Sequence, residues 1–137
     1  MRRILLPIDG SRRSIQTVET VKKVCPPELC EITIVKVVSA RLYLHSMEEI
    51  KEHAELALPE LESIAALLPG YNVRTQVLLG SNPGVEIVEF AKETGVDTLI
   101  MTRSSRGPLR KMGSVASYIV KNADFLDVLV MREQAEE

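Results

Sequence analysis

The feature that most constrains the fold of this chain is a regular alternation between short apolar runs and longer amphipathic stripes. Short β-branched runs are typical of buried strands, and apolar residues that recur every three or four positions are typical of helices. Strands are predicted at Arg3–Ile8, Ile32–Val38, Asn72–Leu79, Val96–Met101 and Val128–Met131, and helices at Ser11–Cys25, Met47–Leu68, Pro83–Gly95 and Ser114–Ala123. Because each parallel return of the chain needs a crossover, this order predicts an α/β fold, a doubly wound, Rossmann-like parallel sheet with helices on both faces.

Several side-chain placements follow from these patterns. The first helix is expected to bury one stripe, made by Ile15, Val18, Val21 and Val24 or Cys25. Lys36 interrupts the second strand, and its amine is expected to reach solvent. Pro59 is expected to kink or split the second helix. The glutamates of that helix, at positions 48, 49, 52, 55, 60 and 62, are expected to form a solvated face. The third strand alternates in polarity, which is typical of an edge or half-buried strand.

Composition excludes several classes of function. The 137 residues are 45% hydrophobic and 26% charged, with a formal net charge of −2. These values fit one soluble globular domain over residues 1–137 and argue against general attraction to nucleic acid. No apolar run approaches the roughly 20 residues of a membrane span, and the N-terminal stretch lacks a signal-peptide pattern. We therefore expect a cytoplasmic protein with no nucleic-acid or membrane partner.

The loops that follow the strands are the expected position of a ligand site. In doubly wound sheets, ligands bind beyond the carboxyl ends of the strands, where the strand order switches. The most informative of these loops, Thr102–Lys111, carries four basic residues and no acidic one, and Gly113-Ser114 then opens a helix. A helix N-terminus favours anions, and arginines such as Arg103 and Arg106 hold phosphate well. The alternative for this basic segment is a solvated loop.

Two further positions at the same edge leave two roles open. Asp9 follows the first strand, where its carboxylate either accepts hydrogen bonds from a ribose or an adenine amino group or caps the helix that begins near Ser11. The hydroxyl of Ser114 either caps the last helix or donates to a phosphate oxygen, and these two roles are compatible. The segment Gly107–Ser114 departs from the P-loop in spacing and lacks the lysine before the serine.

No pattern in the chain points to catalysis or to a metal. His45 and His53 are not spaced as a ligand pair, and no nucleophile elbow or paired-acid signature is present. Cys25 and Cys30 do not match a Cys-x-x-Cys pair, so we expect small, partly buried apolar side chains without a disulfide. We expect a protein that is not an enzyme and has no metal ligand set.

Taken together, the motifs resemble the universal stress protein family over nearly the whole chain. The segments that carry the resemblance are ILLPIDGS at Ile4–Ser11, ITIVKVV at Ile32–Val38, GVDTLIMT at Gly95–Thr102, GSVASYIVKNA at Gly113–Ala123 and VLVM at Val128–Met131. Their order and spacing are specific to the family, although no single segment is. The resemblance implies a five-stranded parallel sheet with strand order 3-2-1-4-5 and stress-response function.

The resemblance also implies a site for an adenine nucleotide such as ATP. The adenosine side would be Pro7, Ile8, Asp9 and the backbone of Val37. The phosphate side would be Met101, Thr102, Ser105, Gly113, Ser114 and Val115, with Arg103 and Arg106 as auxiliary contacts.

One part of this site departs from the nucleotide-binding members. Thr102 and Ser105 stand where those members have glycines, and only seven residues separate Ser105 from Gly113, fewer than in those members. A Cβ at these positions limits the close approach of the backbone to phosphate. The expected consequences are weaker triphosphate binding, a smaller ligand such as adenosine or AMP, or a polyphosphate held by arginines.

The resemblance further implies a homodimer. In the family the last strand often pairs with its two-fold mate, and Val128, Leu129, Val130 and Met131 keep the apolar character that this requires. Phe125 is a further candidate contact. Two functions are therefore open: a regulatory or sensing domain that binds an adenine nucleotide or related phosphorylated ligand through an atypical phosphate loop, or a dimeric interaction domain, with an unknown protein partner, that binds no nucleotide.

Overall fold

The computed structural model describes residues 1–39, 46–104 and 113–134. The helices and strands within these ranges alternate along the chain. They are β1 Arg2–Ile8, α1 Arg13–Val24, a short 3-10 turn at Pro27–Leu29, β2 Cys30–Ser39, α2 Met47–Ala65, β3 Asn72–Gly80, α3 Pro83–Thr94, β4 Thr98–Arg103, α4 Ser114–Asn122 and β5 Asp127–Arg132.

The five strands form one parallel sheet in the order β3-β2-β1-β4-β5. The order confirms the predicted doubly wound α/β fold and the strand order that the family resemblance implies. The chain winds outward from β1 in one direction and then, after β3, crosses back to β4. The switch in direction therefore falls between β1 and β4, which is where such sheets open a crevice.

The two faces of the sheet are each covered by two helices. Along β1, Ile4, Leu6 and Ile8 pack with α1 and α2, whereas Leu5 points to the other face and packs with α3 and α4. Successive strand residues point to opposite faces, so one strand supplies both cores. The helices on both faces are as the sequence predicts.

The buried stripe of α1 differs from the predicted one. Val18 and Val21 are buried as expected, and of the two alternatives at the end of the stripe Cys25 is buried whereas Val24 is exposed. Ile15, which is 48% exposed, is the residue that departs from the prediction. The buried positions at the start of the helix are instead Ser14 and Thr17. A shift of one residue turns a helix by about 100°, and the polar residues face inward because the start of α1 lies over the open edge of the sheet.

The second helix and its neighbouring lysine also differ from prediction. Pro59 lies inside a single helix that ends at Ala65, so the helix is not split there, and the alternative of a kink stays a prediction. The helix ends before Leu68, which is buried beyond its end. Glu60 is not part of the solvated face, because its carboxylate forms an ion pair with the ammonium group of Lys36. Lys36 therefore does not extend freely into solvent.

The position of β3 agrees with the prediction, whereas the bounds of β4 differ from it. β3 lies at the edge of the sheet, as predicted. β4 begins two residues later than expected and extends through Arg103, so Thr102 belongs to the strand.

The side chains of Cys25 and Cys30 are both buried, with 8% and 1% of their surface exposed. Burial, with the neighbouring Cys25 thiol, raises the pKa of Cys30 to about 12. Within the described ranges, no helix has the length and apolar character needed to cross a bilayer.

Candidate functional site

A cleft of about 360 Å³ opens at the carboxyl edge of the sheet, between the ends of β1 and β4. Its volume lies in the range of small-molecule sites in proteins. The pairing of β1 with β4 covers only Ile4↔Thr98 and Leu5↔Leu99, whereas β1 pairs with β2 along its whole length. The cleft therefore forms where the two central strands stop being hydrogen-bonded to each other.

The structure brings ten of the twelve predicted site residues to this one cleft. They are Pro7, Ile8, Asp9, Val37, Met101, Thr102, Arg103, Gly113, Ser114 and Val115. The other two, Ser105 and Arg106, lie outside the described residues, as does most of the basic loop. The candidate adenosine side and the candidate phosphate side thus face one space, although they come from positions about 100 residues apart in the chain.

The carboxylate of Asp9 holds the loop between β1 and α1 closed. Its Oδ1 accepts hydrogen bonds from the N–H (2.9 Å) and the hydroxyl (2.5 Å) of Ser11. Its Oδ2 accepts one from Nη2 of Arg13 at 2.7 Å. Partial burial alone would raise the pKa of Asp9, but the hydrogen bonds from Ser11 and Arg13 outweigh it and lower the pKa below its ordinary value. The carboxylate is therefore ionised at neutral pH.

Asp9 does not cap α1, whose N-cap residue is Arg12 and has no side-chain cap hydrogen bond. The acceptors at the start of the helix come from Ser11: its hydroxyl oxygen accepts a hydrogen bond from the backbone N–H of Arg13 at 3.2 Å, and its carbonyl accepts one from the N–H of Ser14 at 3.0 Å. Asp9 in turn holds Ser11 in place. A carboxylate oxygen can accept two hydrogen bonds, so Oδ1 is fully used and Oδ2 keeps one free lone pair for a further donor.

The N-terminus of α4 is built differently. Its N-cap residue is Gly113, which has no side chain, and the first backbone hydrogen bond of the helix runs from Ser117 to Gly113 at 2.9 Å. In the described part of the chain, the N–H groups of Ser114, Val115 and Ala116 have no hydrogen-bond partner. Ser114 is the first residue of the helix, so its hydroxyl is not the cap. Free N–H groups and the helix dipole together favour an anion here.

Gly113 is not required by the backbone or by packing. Its φ is −65°, which any residue can adopt, and a Cβ at this position would meet no described atom within 4 Å. The residue lines the cleft. Its lack of a side chain therefore leaves open space in front of the α4 N–H groups.

Thr102, at a position where nucleotide-binding relatives are expected to have glycine, is buried against α1. The hydroxyls of Thr17 and Thr102 are 2.8 Å apart, and Thr17 also donates to the carbonyl of Arg13 at 3.0 Å. Because a hydroxyl has one proton, Thr102 must be the donor to Thr17. The Thr102 side chain thus ties the end of β4 to α1.

Sequence reasoning missed the part of the cleft that α1 supplies. Arg13, Ser14 and Thr17 all line the cleft. Two signals in the sequence could have indicated this surface. One is the four-residue spacing from Asp9 to Arg13, and the other is the pair of polar residues, Ser14 and Thr17, at helical spacing. The prediction instead followed the apolar periodicity of Ile15 and Val18.

Gly10 lies where the loop after β1 meets α2. Its φ is +82°, a left-handed conformation that favours glycine. A Cβ at this position would collide with the Oε1 atom of Glu60, the same carboxylate that pairs with Lys36. The glycine therefore allows the Asp9 loop to approach the Lys36–Glu60 ion pair, and Lys36 lines the cleft beside Val37.

The structure is a doubly wound α/β domain with a cleft at its switch point. A model of the universal stress protein family matches residues 1–132, and the chain belongs to that family. A universal stress protein of Methanocaldococcus jannaschii is 27% identical to it over 147 aligned positions, which cover 99% of this chain and 85% of that protein.

Solved structures agree with this placement. A hypothetical protein whose biochemical function was assigned from its structure has a TM-score of 0.80 and 27% identity, with 98% of each chain covered. A universal stress protein in complex with cAMP has a TM-score of 0.67 at 17% identity, over 97% of this chain and 98% of that one. One from Archaeoglobus fulgidus in complex with dAMP has a TM-score of 0.61 at 19% identity, over 95% and 97%. The last two likenesses show the fold alone.

Proposed function

We propose that this protein is a regulatory or sensing domain that binds an adenine nucleotide in the cleft between β1 and β4. Val37 and Asp9 would hold the adenosine, with Asp9 using the free lone pair of Oδ2. Gly113 and the N–H groups that follow it would hold the phosphate. The proposal is for binding and not for turnover.

The observation that carries the proposal is the open N-terminus of α4. Gly113, Ser114, Val115 and Ala116 line the cleft, the N–H groups of the last three have no hydrogen-bond partner among the described residues, and a Cβ at Gly113 would meet open space. Across the same cleft lies a carboxylate with one unused acceptor position. A ligand that fits both groups has an anion at one end and a hydrogen-bond donor at the other, and a nucleoside phosphate is such a ligand.

The solved relatives support the chemical class of the ligand. Two universal stress proteins of the same fold were solved with cAMP and with dAMP, which both contain adenine and one phosphate. For this chain, a single phosphate on the α4 N-terminus needs only residues that the structure describes.

A thermal-shift titration with AMP, ADP, ATP and adenosine tests the proposal. A ligand present at 100 times its Kd stabilises the folded protein by about 2.7 kcal/mol, which raises the Tm by several degrees. We expect AMP to raise the Tm and adenosine to do so less, because adenosine lacks the group that the α4 N–H groups would bind. No shift with any of the four at millimolar concentration would reject the proposal.

A second candidate function is homodimerisation through β5, as the family resemblance implies. β5 pairs only with β4 in the described structure, so its other edge is free to pair with a second copy. Leu129 and Phe125 are 38% and 40% exposed near this edge. Light scattering should give twice the monomer mass, and Leu129→Lys should reduce it to the monomer value. A monomeric wild-type protein at tens of micromolar would reject the dimer.

A further inference from the structure

Ser14 is the residue of the cleft whose chemistry the proposed function leaves unused. It lies in the first turn of α1, is 3% exposed and lines the cleft. Its hydroxyl oxygen is buried and has no hydrogen-bond partner among the described residues. A buried hydroxyl without a hydrogen-bond partner destabilises a protein. Such a hydroxyl beside a cleft therefore indicates that a bound ligand supplies the partner.

The hydroxyls next to Ser14 all have hydrogen-bond partners, so the lack of a partner is specific to Ser14 and is not shared by the start of α1. Thr17, one turn further along α1, donates to the Arg13 carbonyl and accepts from Thr102. Ser11, at the other end of the turn, donates to Asp9 and accepts from the N–H of Arg13. The hydroxyls on either side of Ser14 are therefore fully engaged by the protein itself.

The geometry of a helix directs Ser14 toward the cleft. Cα–Cβ bonds in an α-helix tilt toward the N-terminus, and the N-terminus of α1 opens on the cleft. Rotation about the single χ1 torsion moves the Oγ atom among three staggered positions. A ligand in the cleft can therefore meet this hydroxyl without any change in the backbone.

The strand order places the ends of the cleft. Val37 is near the end of β2, Asp9 follows β1, Thr102 is near the end of β4, and the start of α4 lines the same cleft. A nucleotide with its base beside Val37 and its phosphate on α4 would have its sugar over the gap between β1 and β4. Ser14 and Asp9 both line this cleft on the β1–α1 side, so they are the candidates for contact with the sugar.

We infer that Ser14 binds a sugar hydroxyl of the nucleotide and makes the site selective for a ribonucleotide over a deoxyribonucleotide. This inference rests on the proposed function. The Ser14 hydroxyl donates to the sugar hydroxyl oxygen, and the sugar hydroxyl donates to the free lone pair of Asp9 Oδ2. The sugar hydroxyl thus acts as both acceptor and donor, which a hydrogen atom at the same carbon cannot do.

The experiment compares Ser14→Ala and Thr17→Val with the wild-type protein, first without ligand. Because the Ser14 hydroxyl has no partner in the described structure, its removal should leave the Tm unchanged or raise it. Removal of the Thr17 hydroxyl should lower the Tm, since two hydrogen bonds are lost. A Tm of Ser14→Ala that falls as far as that of Thr17→Val would overturn the inference, because the hydroxyl would then have a structural partner.

The second arm measures the Kd of AMP, 2′-deoxy-AMP and 3′-deoxy-AMP by calorimetry. The wild-type protein should bind 2′-deoxy-AMP more than about fivefold more weakly than AMP, because this analogue loses the hydrogen bonds to both Ser14 and Asp9. Ser14→Ala should bind AMP roughly fivefold more weakly than the wild-type protein does, the equivalent of one hydrogen bond, and should distinguish AMP from 2′-deoxy-AMP less than the wild-type protein does. A loss of affinity confined to 3′-deoxy-AMP would overturn the inference. An unchanged affinity of Ser14→Ala for AMP would overturn the inference while leaving the proposed function intact. Failure of the wild-type protein to bind any of the three would reject both.

Discussion

The first turns of α1 and α4 face the same cleft, yet one is satisfied by the protein and the other is not. At α1, Ser11 accepts from the N–H groups of Arg13 and Ser14, and Asp9 supports Ser11. At α4, Gly113 supplies no side chain, and the first N–H groups have no described partner. A helix N-terminus can bind an anion only where the protein leaves its N–H groups without partners, so of these two helices only α4 meets that condition within the described residues.

The two glycines beside these helices differ in the same way. Gly10 is required by the fold, because its φ is +82° and Glu60 occupies the space of a Cβ. Gly113 has an ordinary φ and open space around it. Substitutions at the two positions should therefore separate stability from binding.

The largest expected effect is that of Gly10→Val on stability. A β-branched residue at positive φ costs about 1–3 kcal/mol, and displacement of the Glu60 carboxylate adds to this. Gly70 is the matched control, since its φ is +83° and a Cβ there would meet nothing within 4 Å. Urea unfolding should show Gly10→Val less stable than Gly70→Val. Equal losses would mean that contact with Glu60 contributes nothing.

The next effect is that of Gly113→Val on ligand binding. The side chain would occupy the space in front of the α4 N–H groups without backbone strain. We expect an unchanged Tm without ligand and an AMP affinity reduced at least tenfold, about 1.4 kcal/mol. Calorimetry with AMP measures the second quantity. Wild-type affinity in a folded Gly113→Val protein would show that the phosphate binds elsewhere.

A third change, with only a small effect on the stability of the unliganded protein, makes the N-terminus of α4 resemble that of α1. Gly113→Asp places a capping carboxylate at a residue whose ψ of 167° is already extended. Asp is better than Gly at this position by a few tenths of a kcal/mol, so the Tm without ligand should rise slightly. The AMP-induced rise in Tm should disappear because the carboxylate uses the N–H groups and repels phosphate. A Tm rise with AMP equal to that of the wild-type protein would contradict the contrast between the two helices.

The smallest expected effect is the pH dependence that Asp9 gives to the α1 loop. Its pKa in the folded protein is below the ordinary 3.8, so its contribution to stability is present above about pH 4 and is lost as the pH falls through the folded pKa. The side chain is 56% exposed, so the contribution is less than about 1 kcal/mol. Urea unfolding from pH 2 to 7 should show a shallower acid limb for Asp9→Asn. An identical acid limb would show that Asp9 does not stabilise the loop.

The particular errors of the sequence-based predictions have a common cause. The apolar spacing of Ile15 with Val18 and Val21 predicts that Ile15 is buried, but burial depends on which side of the helix meets the sheet, and the start of α1 presents Ser14 and Thr17 to the cleft. In the same way, Glu60 is one of the glutamates that predict a solvated face on α2. Its ion pair with Lys36 depends instead on the distance between α2 and β2. Periodicity along one element carries no information about such contacts.

The sequence by itself determined the order of strands and helices, and through the family motifs the strand order and ten residues that line one cleft. These properties follow from local patterns, because apolar periods of two and 3.6 residues and turn residues act within short stretches of chain. Only the tertiary structure decided that Arg13, Ser14 and Thr17 complete the cleft, and that the first N–H groups of α1 have acceptors on Ser11 while those of α4 have none among the described residues. Those outcomes depend on hydrogen bonds between segments that are distant in sequence, as the contact of Thr17 with Thr102 shows. The polar groups without a hydrogen-bond partner can be identified only once the partners of the other polar groups are known from the tertiary structure.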